Sequence, residues 1–328
     1  MNIGLGYAGQ NITLQGESDI CKIKEPVNYT ARINRTCMLN ENFPEKIIPE
    51  AIKLGRENLK DLLLLLKWNE EHDIRFFRIN SEILPHISNW RLIPEGAGRL
   101  DYKQLAYDIK IFLPELHAVG DYINKHKHRI TFHPGFFTVI NTPKHFLLIS
   151  SMRELWWHTL FIEYAGLSGG PSTLTIHIGG IYDDKERAMR RFIDNFKQLP
   201  PETQKLLIIE NDETQYCVED LFKISTWAKK ELGTYIPICF DYFHYCCYNK
   251  QYKGAQKPVE ALIPLIIKTW EGRRPKCHLS EQALNKQMGT HSNYIKKIPK
   301  ILLGLEIDIM LESKCAELTL LDLRKKLN

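Results

Sequence analysis

The sequence predicts an α/β chain closed into a single eight-stranded parallel (β/α)8 barrel, with residues 1–328 as one domain. Three observations carry that expectation. Short apolar or β-branched runs alternate with segments of helical spacing, eight of each, the pattern of repeated βα units around a parallel sheet. No Pro/Gly/Ser-rich linker divides the chain. Six successive apolar runs carry a His, Asp or Glu at or near their C-terminal end, as strands do when those ends line the mouth of a TIM barrel. An open doubly wound sheet is the alternative arrangement of the same units.

The first strand is read over residues 2–7, where Gly4-Leu5-Gly6-Tyr7-Ala8-Gly9 matches G-x-G-x-x-G. A dinucleotide loop needs a full strand before its glycines and a helix after them. Only three residues precede Gly4, and 10–16 alternates apolar with polar residues, so this is a barrel strand entering a glycine-bearing loop. A long mouth loop is expected near 11–48, then a helix over 49–72. The second strand, 74–79, leads into another mouth loop near 87–99 and a helix over 102–125. Strands three to six are read over 129–132, 173–178, 206–209 and 236–240, followed by helices over 152–165, 185–198, 218–232 and 258–270. The last two strands, 275–279 and 307–311, precede helices over 295–303 and 317–327.

Composition narrows the class. Hydrophobic residues make up 44% and charged residues 25%, which excludes a disordered, collagen-like or disulfide-scaffold chain. The leucine run 62–66, between Asp61 and Lys67, is far short of the ~20 apolar residues of a membrane span. No basic segment followed by an apolar core opens the chain, so an intracellular protein is expected, cytoplasmic or nuclear, without membrane contact. The eight cysteines include no C-x-x-C pair, which argues against a zinc ribbon, and are expected to be reduced thiols. A net charge of +5 permits a polyanionic partner.

The chemistry is written at the strand ends. Ile130-Thr131-Phe132 stops at His133, Leu174-Thr175-Ile176 at His177, and Leu207-Ile208-Ile209 at Glu210. The sixth run ends in Asp241 with His244 three residues on, the seventh carries Lys276 and His278, and the eighth ends in Glu312. Singly, each has a plain explanation: a hydrogen-bonded loop histidine, or a helix N-cap for Asp241. Together they would bury several carboxylates and imidazoles, which is costly unless cations compensate the charge. Four His and three acids over-fill one tetrahedral site, so two or three divalent metals are expected. Such clusters activate water and clamp phosphate oxygens.

These residues resemble the UV damage endonucleases, barrel nucleases related to endonuclease IV. The resemblance runs from Gly6 to about Asp322. It rests on an ordered set: Gly6-Tyr7 with Asn11, Phe77-Arg78-Ile79, His133-Pro134, His177-x-Gly179-Gly180-x-Tyr182 with Lys185, Glu210-Asn211-Asp212, Asp241-x-x-His244, Lys276-x-His278-x-Ser280, His291-Ser292-x-Tyr294-Ile295, and Met310-Leu311-Glu312 with Lys314. The resemblance implies a TIM barrel holding up to three divalent metals, manganese foremost with zinc or magnesium as alternatives. It implies incision of the phosphodiester 5′ to a UV photoproduct or an abasic site in double-stranded DNA, leaving a 3′-hydroxyl and a 5′-phosphate. The implied ligands are His133, His177, Glu210, Asp241, His244, His278, His291 and Glu312. Glu210, Lys276 and His278 would be catalytic, Lys276 matching a lysine carboxylated in that family. Tyr7 and Asn11 match lesion-side residues.

Two departures stand out. Asn89 occupies the position where the family carries a histidine after Pro85, the nearest imidazole being His86. Phe136-Phe137 replaces the glutamine and aromatic that wedge into the duplex, with one ring expected to pack inward. Cations expected at the DNA face are Lys185, Arg187, Arg190 and Arg191, with Arg273 and Arg274 before the seventh strand. A monomer with no obligate protein partner is expected. A metal-dependent sugar isomerase or epimerase on the same barrel, and a DNA-binding relic weakened at Asn89, are the competing readings.

Overall fold

The computed structural model of the chain describes residues 3–21, 23–24, 32–39, 44–94, 96–182 and 184–327. Asn2 of the expected first strand, stretches of the 11–48 loop and Glu95 of the 87–99 loop lie outside the described residues. Eight parallel strands close into a barrel in which every strand pairs with its neighbours in sequence. We number them β1 (Gly4–Ala8), β2 (Phe76–Arg78), β3 (Arg129–Phe132), β4 (Thr173–His177), β5 (Leu207–Glu210), β6 (Ile238–Asp241), β7 (Lys276–Leu279) and β8 (Asp308–Leu311). The outer helices are α1 (Pro44–Glu71), α2 (Leu113–His126), α3 (His145–Tyr164), α4 (Lys185–Phe196), α5 (Val218–Leu232), α6 (Val259–Thr269), α7 (Lys300–Leu303) and α8 (Ala316–Leu327). The barrel expected from sequence is therefore the observed fold, not the open sheet.

Local chemistry sets the elements. Asp184 caps α4 by accepting the Arg187 N–H at 3.0 Å, and Ala188, Met189, Phe192, Ile193 and Phe196 form its buried stripe. Each such phenylalanine contributes roughly 1.5–3 kcal/mol by leaving water. A Cβ on Gly6 would lie 2.5 Å from the carbonyl and ring of Phe76, so the glycine permits the β1–β2 approach. Four elements depart from expectation, the first being the helix expected over 102–125, which forms only over Leu113–His126. Helix α3 begins at His145, ahead of the expected 152, a start missed because residues on nearly all its faces are buried and no one-sided apolar stripe marks it. A helix at Tyr242–Gln251 was not anticipated, and only Lys300–Leu303 of the expected 295–303 is helical.

Inside the barrel, alternate residues point to the axis. Arg129 of β3 reaches Asp308 of β8 at 2.6 Å, and Arg274 reaches the same carboxylate at 2.7 Å. This is the N-terminal end of the strands, since Asp308 opens β8. Arg274, and Arg273 beside Trp270, therefore lie at the end away from the mouth where they were expected. A residue preceding a parallel strand must sit there. The cysteines need a second correction: Cys21 and Cys315 are disulfide-bonded, with Cα atoms 5.7 Å apart. Closure of the barrel brings together residues 294 apart in sequence. The other six cysteines are free thiols.

Candidate active site

Strand register assembles the mouth. Asp241 pairs with His278, which pairs with Met310, while His177 pairs with Glu210. Glu210 ends β5 fully buried at the centre of the group. One carboxylate oxygen lies 2.7 Å from His133 Nε2 and 3.9 Å from His177 Nε2. The other lies 2.7 Å from His278 Nδ1 and 3.8 Å from His244 Nδ1. Burial would raise its pKa, but the imidazoles of His278, His177 and His133 outweigh that and hold it well below the usual range.

Asp241 does two things. As N-cap of the helix Tyr242–Gln251, its Oδ1 accepts the His244 N–H at 2.7 Å, the plain role foreseen for it. Its Oδ2 is buried without a hydrogen-bond partner and points to the cluster. Burial pushes this carboxyl up to about 7. Asn211 fixes the turn, exchanging two 2.9 Å hydrogen bonds with the Asp241 backbone, and its carbonyl accepts from His244 Nδ1 at 3.0 Å. On the far side, Glu312 lies 3.1 Å from His278 Nδ1 and 3.7 Å from His291 Nδ1 and is paired with Arg78.

These donors fit divalent cations. Among the described residues, three groups have ligand atoms within 4.8 Å of one another: His133, Glu210 and His278; His177, Glu210 and His244; Asp241, His278 and Glu312. Glu210 and His278 are each shared by two groups. His278 Nε2, His177 Nδ1 and Asp241 Oδ2 are buried and unpartnered, an expensive state that a cation would relieve. Burial lowers His278 to about 4, so it is the neutral imidazole that a metal requires. His291, the remaining expected ligand, sits at the edge beside Glu312.

Lys276 is buried two residues before His278 on β7, one inward-facing layer beneath the cluster. Its Nζ donates to Thr175 Oγ1 at 2.7 Å, and burial lowers its pKa to about 8. A solvated surface lysine is excluded.

The other expected residues scatter. Tyr7 and Asn11 are buried. Tyr7 points outward from β1 to Asn69 of α1, whose Oδ1 accepts its hydroxyl at 2.7 Å, and Asn11 donates to that hydroxyl at 2.9 Å. Gly6 and Ala8 take the positions alternate to Tyr7 on the strand. Phe136 and Phe137 are both exposed, at 73% and 79%, with ring centroids 3.9 Å apart, so neither packs inward. Phe136 lines the cavity of about 620 Å³ over the cluster, together with His133, His177, His244 and His291. Lys185 is paired with Asp220 at 2.5 Å, and Arg190 with Glu231 at 2.5 Å on the outer helix α5. Arg191 donates to the Asn141 carbonyl at 2.5 Å, beside Gly180 on the cavity wall. Asn89 caps a short helical turn and lies 3.5 Å from His86, whose Nε2 meets the Cys37 carbonyl. Arg78 and Asn211 support the site without having been assigned roles. Their signal was an Arg and an Asn at strand ends where only acids and histidines were sought.

Comparisons with known proteins agree with this geometry. The family model "UV-endonuclease UvdE" matches residues 3–328. The chain is 32% identical to a putative UV-damage endonuclease of Acanthamoeba polyphaga mimivirus, covering 97% of this chain and 89% of the viral protein. It is 31% identical to a UV DNA damage endonuclease of Clostridium perfringens, covering 88% of this chain and 66% of that protein's length. The crystal structure of SacUVDE superposes with a TM-score of 0.78 at 27% identity, covering 99% and 98% of the two chains. Endonuclease IV from Thermus thermophilus, at 14% identity and a TM-score of 0.51 over 82% of this chain and 94% of its own, shares the fold.

Proposed function

The chain belongs to the UV-endonuclease UvdE family and is an endonuclease acting on DNA phosphodiester bonds, and on that premise we propose that it incises damaged double-stranded DNA 5′ to UV photoproducts and abasic sites with two or three divalent metal ions, manganese foremost. The products would carry a 3′-hydroxyl and a 5′-phosphate. Family membership favours this reading over the sugar isomerase and over a relic without catalysis. The observation that carries the metal assignment is Glu210, one buried carboxylate shared by two groups of potential ligands.

His133, His177, His244, His278 and His291 would hold the ions with Glu210, Asp241 and Glu312. When bound, the ions supply an activated water and neutralise charge on the phosphate oxygens. The protein's part is to fix the donors. Arg78 orients Glu312, Asn211 orients Asp241 and the carbonyl facing His244, and Glu210 spaces His133 and His278. Lys276 keeps a basic nitrogen beneath Glu210 in a dry interior. Phe136 and Phe137 present apolar surface beside the cavity and would enter a disrupted base step. The protein would act as an intracellular monomer, and no described helix is long and apolar enough to cross a membrane.

The test is a 5′-labelled duplex with one photoproduct, incubated with Mn²⁺ and with chelator. One cut directly 5′ to the lesion, with a 3′-end that a polymerase extends and strict metal dependence, is expected. Incision unaffected by chelator, or cleavage 3′ to the lesion, would overturn the reading.

A further inference from the structure

A second element rises from the mouth, and the activity described above uses only its last residue, His291. Between β7 and His291 the chain forms a hairpin over 281–291, closed by a bridge between Gln282 and His291. Ala283 N–H donates to the Thr290 carbonyl at 2.8 Å, and Ser292 N–H to the Glu281 carbonyl at 2.8 Å. The Gln282 side chain fills the tip from within. Its amide nitrogen donates to the carbonyls of Ala283 at 3.1 Å and Gln287 at 2.9 Å, and its oxygen accepts the Gly289 N–H at 3.0 Å. Asn285 takes a left-handed conformation, φ 55°, which asparagine tolerates and which turns the tip tightly. The hairpin is thus held by its own hydrogen bonds.

It nevertheless presents Leu284 to solvent, 84% exposed, with Met288 at 39% and Lys286 also exposed. In the eight-strand ring β7 lies four places from β3, so the hairpin rises diametrically across the mouth from Phe136 and Phe137. The same cavity is lined by Phe136 on one side and by Gly289 and His291 on the other. The hairpin's second arm ends in His291, beside Glu312, so its tip is tied to the cluster by one short segment.

We propose that the 281–291 hairpin is the second jaw of a DNA clamp, with Leu284 entering the duplex from the side opposite Phe136 and Phe137 while Lys286 meets the phosphate backbone. The proposal rests on the reading that the mouth acts on damaged DNA. Apolar side chains wedged between base steps unstack them, and a lesion lowers that cost. Two wedges facing each other across the cluster would hold the strand between them and place its phosphate over the metal donors. A basic residue beside an apolar tip suits a polyanion with an apolar interior.

Leu284→Ala and Gln282→Ala test this with wild type and the Phe136→Ala/Phe137→Ala protein as references. Binding and incision are read on damaged and intact duplexes, with 2-aminopurine beside the lesion reporting unstacking. Leu284→Ala is expected to weaken damaged-duplex binding about tenfold, to raise KM more than it lowers kcat, and to reduce the 2-aminopurine signal. Metal content and thermal stability should not change. Gln282→Ala, which frees the tip, should reproduce these effects in part. Wild-type affinity and 2-aminopurine signal for Leu284→Ala, in a protein whose Phe136→Ala/Phe137→Ala variant loses both, would overturn the clamp alone. So would equal weakening on damaged and intact duplexes, or a change only in self-association. A wild-type protein that incises no damaged duplex would overturn the reading beneath it.

Discussion

Replacing Phe136 and Phe137 by alanine should remove lesion discrimination while leaving the metal donors in place. A phenylalanine side chain carries ~150–250 Å² of surface. With the two rings 73% and 79% exposed, each has on the order of 150 Å² to bury. At ~25 cal/mol per Å² that is about 4 kcal/mol per ring if the duplex covered it wholly. The centroids are 3.9 Å apart, so the rings already shield one another and the pair gains less than twice that. Opening an intact step costs a few kcal/mol and cancels most of the gain. A damaged step has lost part of its stacking, so the pair should favour it by ~2–4 kcal/mol, or roughly thirty- to thousandfold in affinity. The assay is competition binding and single-turnover incision on a cyclobutane dimer, a 6-4 photoproduct, an abasic site and intact duplex. The double variant should approach intact-duplex affinity on every lesion, with unchanged metal content. Equal loss on all four substrates with loss of bound metal would refute the reasoning and make the pair a prop beneath His133.

Two further outcomes follow from groups away from the metal donors. Burial pushes Glu154, which accepts the Ser88 hydroxyl, up to about 6. The folded state therefore holds its proton more tightly than the unfolded chain, and stability falls as pH rises from ~4.5 to ~6, by up to ~2 kcal/mol. Glu154→Gln should be more stable than wild type by that amount above this window and equal to it below, in urea melts across pH; a difference independent of pH would contradict the assignment. Cys21→Ser should cost about 2–4 kcal/mol under oxidising conditions, the usual contribution of a native disulfide, and nothing in excess dithiothreitol. Equal losses in both buffers would mean that the bond does not form.

The barrel and the cluster were legible because each rests on local pattern. An apolar run shows where a strand lies, and a His or acid at its end shows what the mouth receives, as at His133, Glu210 and Glu312. The direction of a side chain on a short strand was not legible. Tyr7 lies at the right end of β1 but on its outer face, a parity that only the pairing register fixes. The helix Tyr242–Gln251 escaped because Tyr242, Phe243, Tyr245 and Tyr248 give no one-sided apolar stripe, although it carries His244. The Cys21–Cys315 pair escaped because its ends meet only through barrel closure. Arg273 and Arg274 were misplaced by charge alone, although residues before a parallel strand must lie at the closed end.

The central claim is that Glu210 joins the mouth donors into one metal-dependent centre. Metal content and incision of wild type and Glu210→Gln, loaded with Mn²⁺ and desalted, test it most directly. Wild type should hold two or three equivalents and the variant at least one fewer, with incision lost and the circular dichroism spectrum unchanged. Equal metal content together with near-wild-type turnover would contradict it.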